Sequence, residues 1–494
     1  MYTAQPEVHG FIYEVNARVL LARLRRHDPA LTLGALPRGE FERWSRAGYS
    51  LVWLMGIWTR SEGARREALE HQDLRAAYSD VLGDWTPEDV AGSPYAIADY
   101  KVDPALGKEQ DLRRVTERAN RAGLGLIVDF VPNHVARDHP WTRTHPDWFV
   151  TATSDDVEAY PTLFFRSETG AYLAHGKDPH FPPWTDTAQI NFFSDGMRRA
   201  LIEELLAISR VADGVRCDMA MLALNEVFAG TWGPFLTTRA PAAEFWTEAI
   251  GRVKQQRPDF LFLAEAYWSL ESTLLGLGFD FVYDKTLYDL LRYGCAQDVQ
   301  RYLQACPVEH QRAVRFIENH DEARAAAAFG SQRGRAAAVA IATLPGLCLM
   351  HDGQAEGRRH RLPVQLVREP PEEPDAESAA FYDHLLGVCR EISFRNARWV
   401  PGEISPAVEG DDTHRQLVSW SWHSPGQLCI VVINYSAAPA RGRLGIALPD
   451  WLPGSVTARD ILHGCSYSYD RADLEAQGLY VALEPWQSHV LAVP

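Results

Sequence analysis

Eight short runs rich in β-branched and aromatic residues punctuate the chain: GFIYEVN (10–16), LVWLMGIW (51–58), LGLIVDFV (124–131), ADGVRCD (212–218), FLFLAEA (260–266), GFDFVYD (278–284), VRFIENH (314–320) and LPGLCLMHDG (344–353). Each has the length and apolar density of a buried strand. Between several of them apolar residues recur every third or fourth position, as in EQDLRRVTERANRAG (109–123) and GMRRALIEELLAISRV (196–211), which predicts amphipathic helices. Strand then helix, eight times over, predicts an α/β fold of the (β/α)8 TIM-barrel type.

Two segments break this rhythm. Residues 135–195 are rich in Pro, His, Trp, Asp and Thr without clear periodicity (DHPWTRTHPDWFV, HGKDPHFPPWTDTAQINFF), so a small inserted domain is expected between the third and fourth strands. After the acidic, proline-containing stretch VREPPEEPDAES (367–378) and one more helix, residues 396–494 alternate apolar and polar positions in QLVSWSWH, QLCIVVINYS, GLYVALEP and SHVLAV. That alternation predicts a C-terminal antiparallel β-sandwich. The barrel is then assembled from residues 1–134 and 196–395.

Composition narrows the partners. At 494 residues the chain has room for two or three domains. Its net charge of −16 and pI near 5.5, with no basic run, exclude nucleic acid and an anionic membrane surface and favour a neutral small molecule. No stretch of 18 apolar residues occurs, and the start MYTAQPEVHGFIYEV lacks a basic segment followed by an apolar one, so a cytoplasmic location is expected. The seven cysteines (217, 295, 306, 348, 389, 429, 465) are scattered without a CxxC pair, which predicts free thiols and neither a disulfide framework nor a zinc site. Fifteen tryptophans exceed what packing needs and suggest stacking surfaces.

In a barrel of this kind the chemistry sits where the strands end, because the loops there form the concave face. The third run ends in Asp129, Asn133 and His134, the fourth in Arg216 and Asp218, the fifth in Glu265, the seventh in Asn319, His320 and Asp321. Residues two apart on a strand share a face, so Arg216 and Asp218 are neighbours, and the arginine's charge is expected to keep the aspartate ionised as a nucleophile. Glu265 stands among Phe262, Leu263, Tyr267 and Trp268, where desolvation raises a carboxyl pKa toward neutrality and makes it a proton donor. An ionised nucleophile and a protonated acid are the pair a retaining glycosidase uses. Asp321 is the third acid, placed to grip sugar hydroxyls.

The four stretches DFVPNH (129–134), GVRCDMA (214–220), FLAEAYW (262–268) and FIENHD (316–321) resemble the four ordered signature regions of the alpha-amylase family of glycoside hydrolases. TAQIN (187–191) is similar to the family's additional motif near the end of its inserted domain, and SPYAIADYKVDP (93–104) to its second-strand segment. The resemblance implies that Asp218 is the nucleophile, Glu265 the general acid/base and Asp321 the transition-state stabiliser. It further implies that Arg216 holds Asp218, that Asp129 orients Arg216, that His134 and His320 bind hydroxyls of the reacting sugar, and that Tyr95 is the ring on which that sugar stacks.

The departures from the family pattern matter as much. Where many amylases continue the second region with Lys and a calcium-binding His, this chain has Met221 and Leu222, so neither a metal site nor any cofactor is expected. Exo-acting glucosidases often pair an aspartate after the stacking tyrosine with an arginine after the fourth region; Arg324 is present and assigned to substrate binding, but Ala96 follows Tyr95.

The activity expected is retaining hydrolysis of short α-glucosides or maltooligosaccharides. The alternative is a transglycosylase or isomerase of the same family (glucanotransferase, maltosyltransferase, trehalose-forming), which shares the covalent intermediate. A non-catalytic relative is disfavoured by the three intact acids. Within the insertion, Trp141, Trp148, Phe181 and Trp184 are expected to wall the barrel mouth into a closed pocket, with Trp184 contacting substrate.

Overall fold

The computed structural model describes residues 9–305 and 311–494; the first eight residues and Cys306 lie outside them. Eight strands, β1 (His9–Asn16), β2 (Leu51–Met55), β3 (Gly125–Phe130), β4 (Gly214–Cys217), β5 (Leu261–Ala264), β6 (Phe281–Tyr283), β7 (Ala313–Arg315) and β8 (Gly346–His351), close into a parallel barrel in chain order. Each overlaps one of the eight apolar runs, β1 and β7 beginning one residue before theirs. The helices 109–121 and 195–209 stand where the periodicity predicts them.

Side-chain alternation divides every strand between two environments. On β2, Val52 and Leu54 pack outward with Leu20, Leu21 and Phe41 of the helical layer, while Leu51, Trp53 and Met55 join Ile12, Ile127 and Leu263 in the barrel interior. Inward positions near the C-terminal ends are polar. Register places Glu14 of β1 opposite Trp53 and His351, and Arg216 of β4 opposite Asp129 and Leu263.

The insertion between β3 and β4 is more ordered than its composition suggests. His134–Ala136 pairs antiparallel with Thr187–Gln189, and a three-stranded sheet forms from Thr151–Ala152, Phe164–Arg166 and Tyr172–Ala174. His134 therefore stands on a strand, in register with Gln189.

Beyond the barrel a six-stranded and a three-stranded antiparallel sheet form the sandwich. The burial of 479–483 alternates residue by residue, as the sequence pattern requires. Leu428, Ile430, Val432, Leu444, Val481 and Leu491 fill its core. The sandwich docks on the barrel through Trp420 and Trp422, whose indole N–H groups donate to the Thr343 carbonyl at 3.1 and 2.8 Å, satisfying an acceptor that the end of helix 331–343 leaves open. Among the described residues no helix is long and apolar enough to cross a membrane, and the six described cysteines are free.

Candidate active site

Arg216 is the hub of the barrel mouth. Its side chain is 1% exposed, and its guanidinium lies 5.2 to 5.6 Å from the rings of Trp53, Tyr95 and Tyr283. Such a cation is costly to bury unless it is paired. Nη1 donates to Asp218 Oδ1 at 2.7 Å, Nη2 stands 2.8 Å from Glu265 Oε2, and Asp129 Oδ1 follows at 3.8 Å. One guanidinium thus joins three strand ends.

The chain bends sharply just past each of the first two acids. Met219, after Asp218, has φ 43°, and Trp268 and Ser269, shortly after Glu265, have φ 64° and 59°. Left-handed backbone is unfavourable for such residues and gathers at functional sites. The bend at Met219 delivers its N–H to Glu265 Oε2 at 2.7 Å, and the Tyr267 hydroxyl donates to Oε1 at 2.7 Å.

Burial acts on both acids. Burial pushes Glu265 up to about 7; Arg216 opposes the rise, and the charges of Asp218 and Asp321 add to it. Asp218 also moves up rather than down: burial raises it, while the charge and hydrogen bond of Arg216 pull it back. The arginine thus limits the shift that desolvation imposes, acting in the sense the Arg-x-Asp spacing predicts.

Asp321 is presented by an Asx turn, in which Asn319 Oδ1 accepts the N–H groups of Asp321 and Glu322, each at 2.9 Å. Its side chain is half exposed, and His320 Nε2 lies 2.8 Å from Oδ2. Burial would raise its pKa, but the neighbouring His320 charge holds it at about 2. The Tyr95 ring lies over His320, with its hydroxyl 2.8 Å from Nε2.

These groups open into a cavity of about 1090 Å³, lined among others by Tyr95, His134, Trp184, Asp218, Glu265 and Asp321. His134 is neutral in the acidic to neutral range, since burial lowers it to about 4, and its ring stands 5.1 Å from Trp184. The backbone of Gly176 closes on this corner: a Cβ there would meet the Cβ of His134 at 2.9 Å.

Residues 85–275 match the family model for the alpha-amylase catalytic domain. Over that stretch the chain is similar to the alpha-amylase family. Over 303 residues it is 30% identical to alpha-amylase MalA of Haloarcula japonica, a stretch covering 58% of this chain and 41% of that protein. Over 193 residues it is 31% identical to an alpha-1,4-glucan:maltose-1-phosphate maltosyltransferase of Cereibacter sphaeroides, covering 37% of this chain and 23% of that protein. The chain spans less than half the length of these two curated relatives. Among solved structures it resembles the maltogenic alpha-amylase AmyB of Thermotoga neapolitana, with 18% identity, a TM-score of 0.69 and 98% of each chain covered, a likeness of fold.

The calcium site that the alpha-amylase resemblance implies does not fit the residues here. Asn133 Oδ1 accepts from Gln189 Nε2 at 3.0 Å, and Asn133 Nδ2 donates back to Gln189 Oε1 at 3.3 Å. The two amides satisfy each other, while Met221 and Leu222 are buried in apolar surroundings and offer no side-chain oxygen. A cation that takes six to eight oxygens finds no such set.

Two of the expected site residues lie off the cavity, Arg324 in a separate cluster and Asp129 beside Arg216. Arg324 lies off the cavity in a buried cluster, with Nε 3.1 Å from Glu318, Nη1 donating to His351 Nδ1 at 2.6 Å and Nη2 to the Asp352 carbonyl at 2.9 Å. Asp129 lies beneath the floor, accepting the Gly56 N–H at 3.1 Å, with its pKa pushed by burial to about 6. Of the four insertion aromatics, Phe181 and Trp184 reach the cavity, whereas Trp141 and Trp148 pack on each other at 5.6 Å. Sequence reasoning missed Glu14, Trp53, Tyr267, Tyr283 and the cavity residue Arg361, which donates to the Asp321 carbonyl at 2.8 Å. For Glu14 a signal existed: a charged residue in phase with Ile12 on the inward face of an apolar run.

Proposed function

We propose that the chain is a retaining α-glycoside hydrolase acting on short α-glucosides or maltooligosaccharides. The observation that carries this reading is that adjacent nitrogens of one guanidinium bind Asp218 and Glu265. That arrangement brings the two carboxyls to the same cation, in keeping with the short separation (roughly 5 to 5.5 Å) that a retaining mechanism uses.

In the first displacement Asp218 attacks the anomeric carbon and the glycosidic bond breaks. Glu265, protonated up to about pH 7, gives its proton to the departing oxygen. In the second, Glu265 takes a proton from water, whose oxygen attacks the same carbon and releases Asp218. Asp321 stays ionised and faces the positive charge that develops on the sugar. Tyr95 and Trp184 supply apolar faces, and His134 a neutral polar group.

The lining of the cavity favours a neutral substrate over a phosphorylated one. Asp178, Asp186, Glu271 and Asp289 stand there beside the three acids, against Lys285 and Arg361, and Lys285 is already paired with Asp289 at 2.5 Å. Free thiols at the exposed Cys295 and Cys465 support work in the cytoplasm.

Proton NMR of the first minutes of maltotriose or aryl-maltoside turnover tests the reading. The α-anomer is the expected initial product; initial β-anomer overturns it. A panel of maltooligosaccharides, trehalose, sucrose and maltose 1-phosphate, sampled early, separates hydrolysis from transfer, because transfer yields longer oligosaccharides.

A further inference from the structure

Glu14 has no part in the displacements above, yet it is a carboxylate shut from water at the barrel mouth. It is fully buried on β1, between Trp53 and His351. Its Oε1 lies 2.5 Å from His320 Nδ1, and its Oε2 has no hydrogen-bond partner. The opposite ring nitrogen, Nε2, lies 2.8 Å from Asp321 Oδ2. A neutral imidazole carries one N–H, so it donates to one carboxylate only; donating at both ends requires the imidazolium.

We propose that Glu14 is a positioning residue for the reaction, fixing His320 as an oriented imidazolium between two carboxylates so that Asp321 is held ionised beside Asp218 and Glu265. The inference rests on the glycosidase reading of the site. Three carboxylates facing one cavity cannot all ionise freely at neutral pH, and a retaining mechanism needs them split into two charged and one protonated. A fixed cation behind Asp321 selects which one stays charged.

The surrounding charges agree with this assignment. Burial lowers the affinity of His320 for its proton, but Asp321 and Glu14 together raise its pKa well above the ordinary histidine value. Burial raises Glu14, and His320 and His351 outweigh it and bring it down. Asp129 and Asp218 feel the same imidazolium, Tyr95 stacks on it, and Tyr283 faces Glu14. Removing the Glu14 charge therefore lowers the pKa of His320, and with the cation gone Asp321 and Asp218 titrate at higher pH.

The test is Glu14→Gln, which keeps the shape and removes the charge. In the parent, ¹⁵N spectra at pH 7.5 should show both His320 ring nitrogens protonated, and in the variant only one. The acidic limb of kcat/KM should move up by about one unit, a tenfold loss at low pH. A purely structural role would lower the thermal midpoint and leave the limb in place. A neutral His320 in the parent, or superimposable pH profiles, overturns the proposal. The parent spectrum decides even if the variant does not fold. If the parent turns over no α-glucoside, the glycosidase reading fails while the spectra, which need no substrate, still judge the pair.

Discussion

Arg216 Nη2 stands 2.8 Å from Glu265 Oε2 while Nη1 binds Asp218 at 2.7 Å, so a single buried cation bridges the proposed proton donor and the proposed nucleophile. Arg216→Lys preserves the charge but offers a point instead of a planar fork, and one ammonium cannot hold both carboxyls in place. The expected loss in kcat is about 100-fold or more, with the fold retained. Arg216→Met removes the charge, leaves Asp129, Asp218 and Glu265 uncompensated, and should cost about 3–5 kcal/mol in thermal or urea unfolding. Near-parental kcat in the lysine variant would remove the arginine from the reaction.

With burial pushing Glu265 up to about 7, the proposed general acid should set the alkaline limb. A general acid works protonated, so kcat/KM should be high below this value and fall as pH rises through it. Glu265→Gln should abolish the limb and reduce hydrolysis of natural glycosides by about a thousandfold or more, while glycosyl fluorides, whose leaving group needs little protonation, still react. A pH profile of the variant on a fluoride donor that keeps the limb near 7 would assign it to another group.

The barrel was legible because its strands are buried on both faces and read as apolar runs. The three acids were legible for the same reason: a charged residue at the end of such a run is conspicuous. What stayed hidden depends on direction rather than composition. Arg324 lies three residues past Asp321, yet the Asx turn at Asn319 sends the two side chains to different surroundings, one to the cavity and one to Glu318. Trp148 and Trp184 occupy similar proline-rich contexts, but Trp148 stacks on His145 at 3.9 Å inside the insertion, and Trp184 faces the cavity. Glu14 was passed over as part of a strand, although its phase with Ile12 marks it as inward-facing.

Asn133 and Gln189 close on each other through their amides, and Gln189 Nε2 also reaches the Asn133 and Ile190 carbonyls at 2.9 and 3.1 Å. This pair does by hydrogen bonding what a cation would do by coordination, tying the strand 187–189 to 134–136. EDTA should leave both activity and thermal midpoint unchanged. Gln189→Ala should strip the partners from a buried amide and cost about 1–3 kcal/mol, read as a lower urea midpoint. A midpoint that falls on chelation and recovers with calcium would reveal a site built from other oxygens.

On the proposed glycosidase reading, Trp184 is expected to limit how long a sugar the cavity accepts. Its backbone N–H donates to the Gly176 carbonyl at 2.7 Å, and its own carbonyl accepts from the Thr187 hydroxyl at 2.7 Å, so the ring is held from both sides over His134. Nearby, the exposed rings of Phe181 and Trp268 rim the same opening, the latter edge-on to His180. A cavity of about 1090 Å³ is at the upper end of small-molecule sites, roomy for an oligosaccharide of a few units but ringed by the insertion. Trp184→Ala should therefore raise KM for maltotriose by up to about tenfold, the equivalent of losing about 1.4 kcal/mol of stacking. Because the ring is only partly buried, the thermal midpoint should hardly move. Trp148→Ala is the control in the opposite sense: it should lower stability by about 1–3 kcal/mol through lost packing and leave KM unchanged. Rates on maltose to maltotetraose should exceed the rate on soluble starch by a wide margin. Internal cleavage of starch at rates comparable to maltotriose would mean that the insertion leaves an open cleft, and that Trp184 walls nothing off.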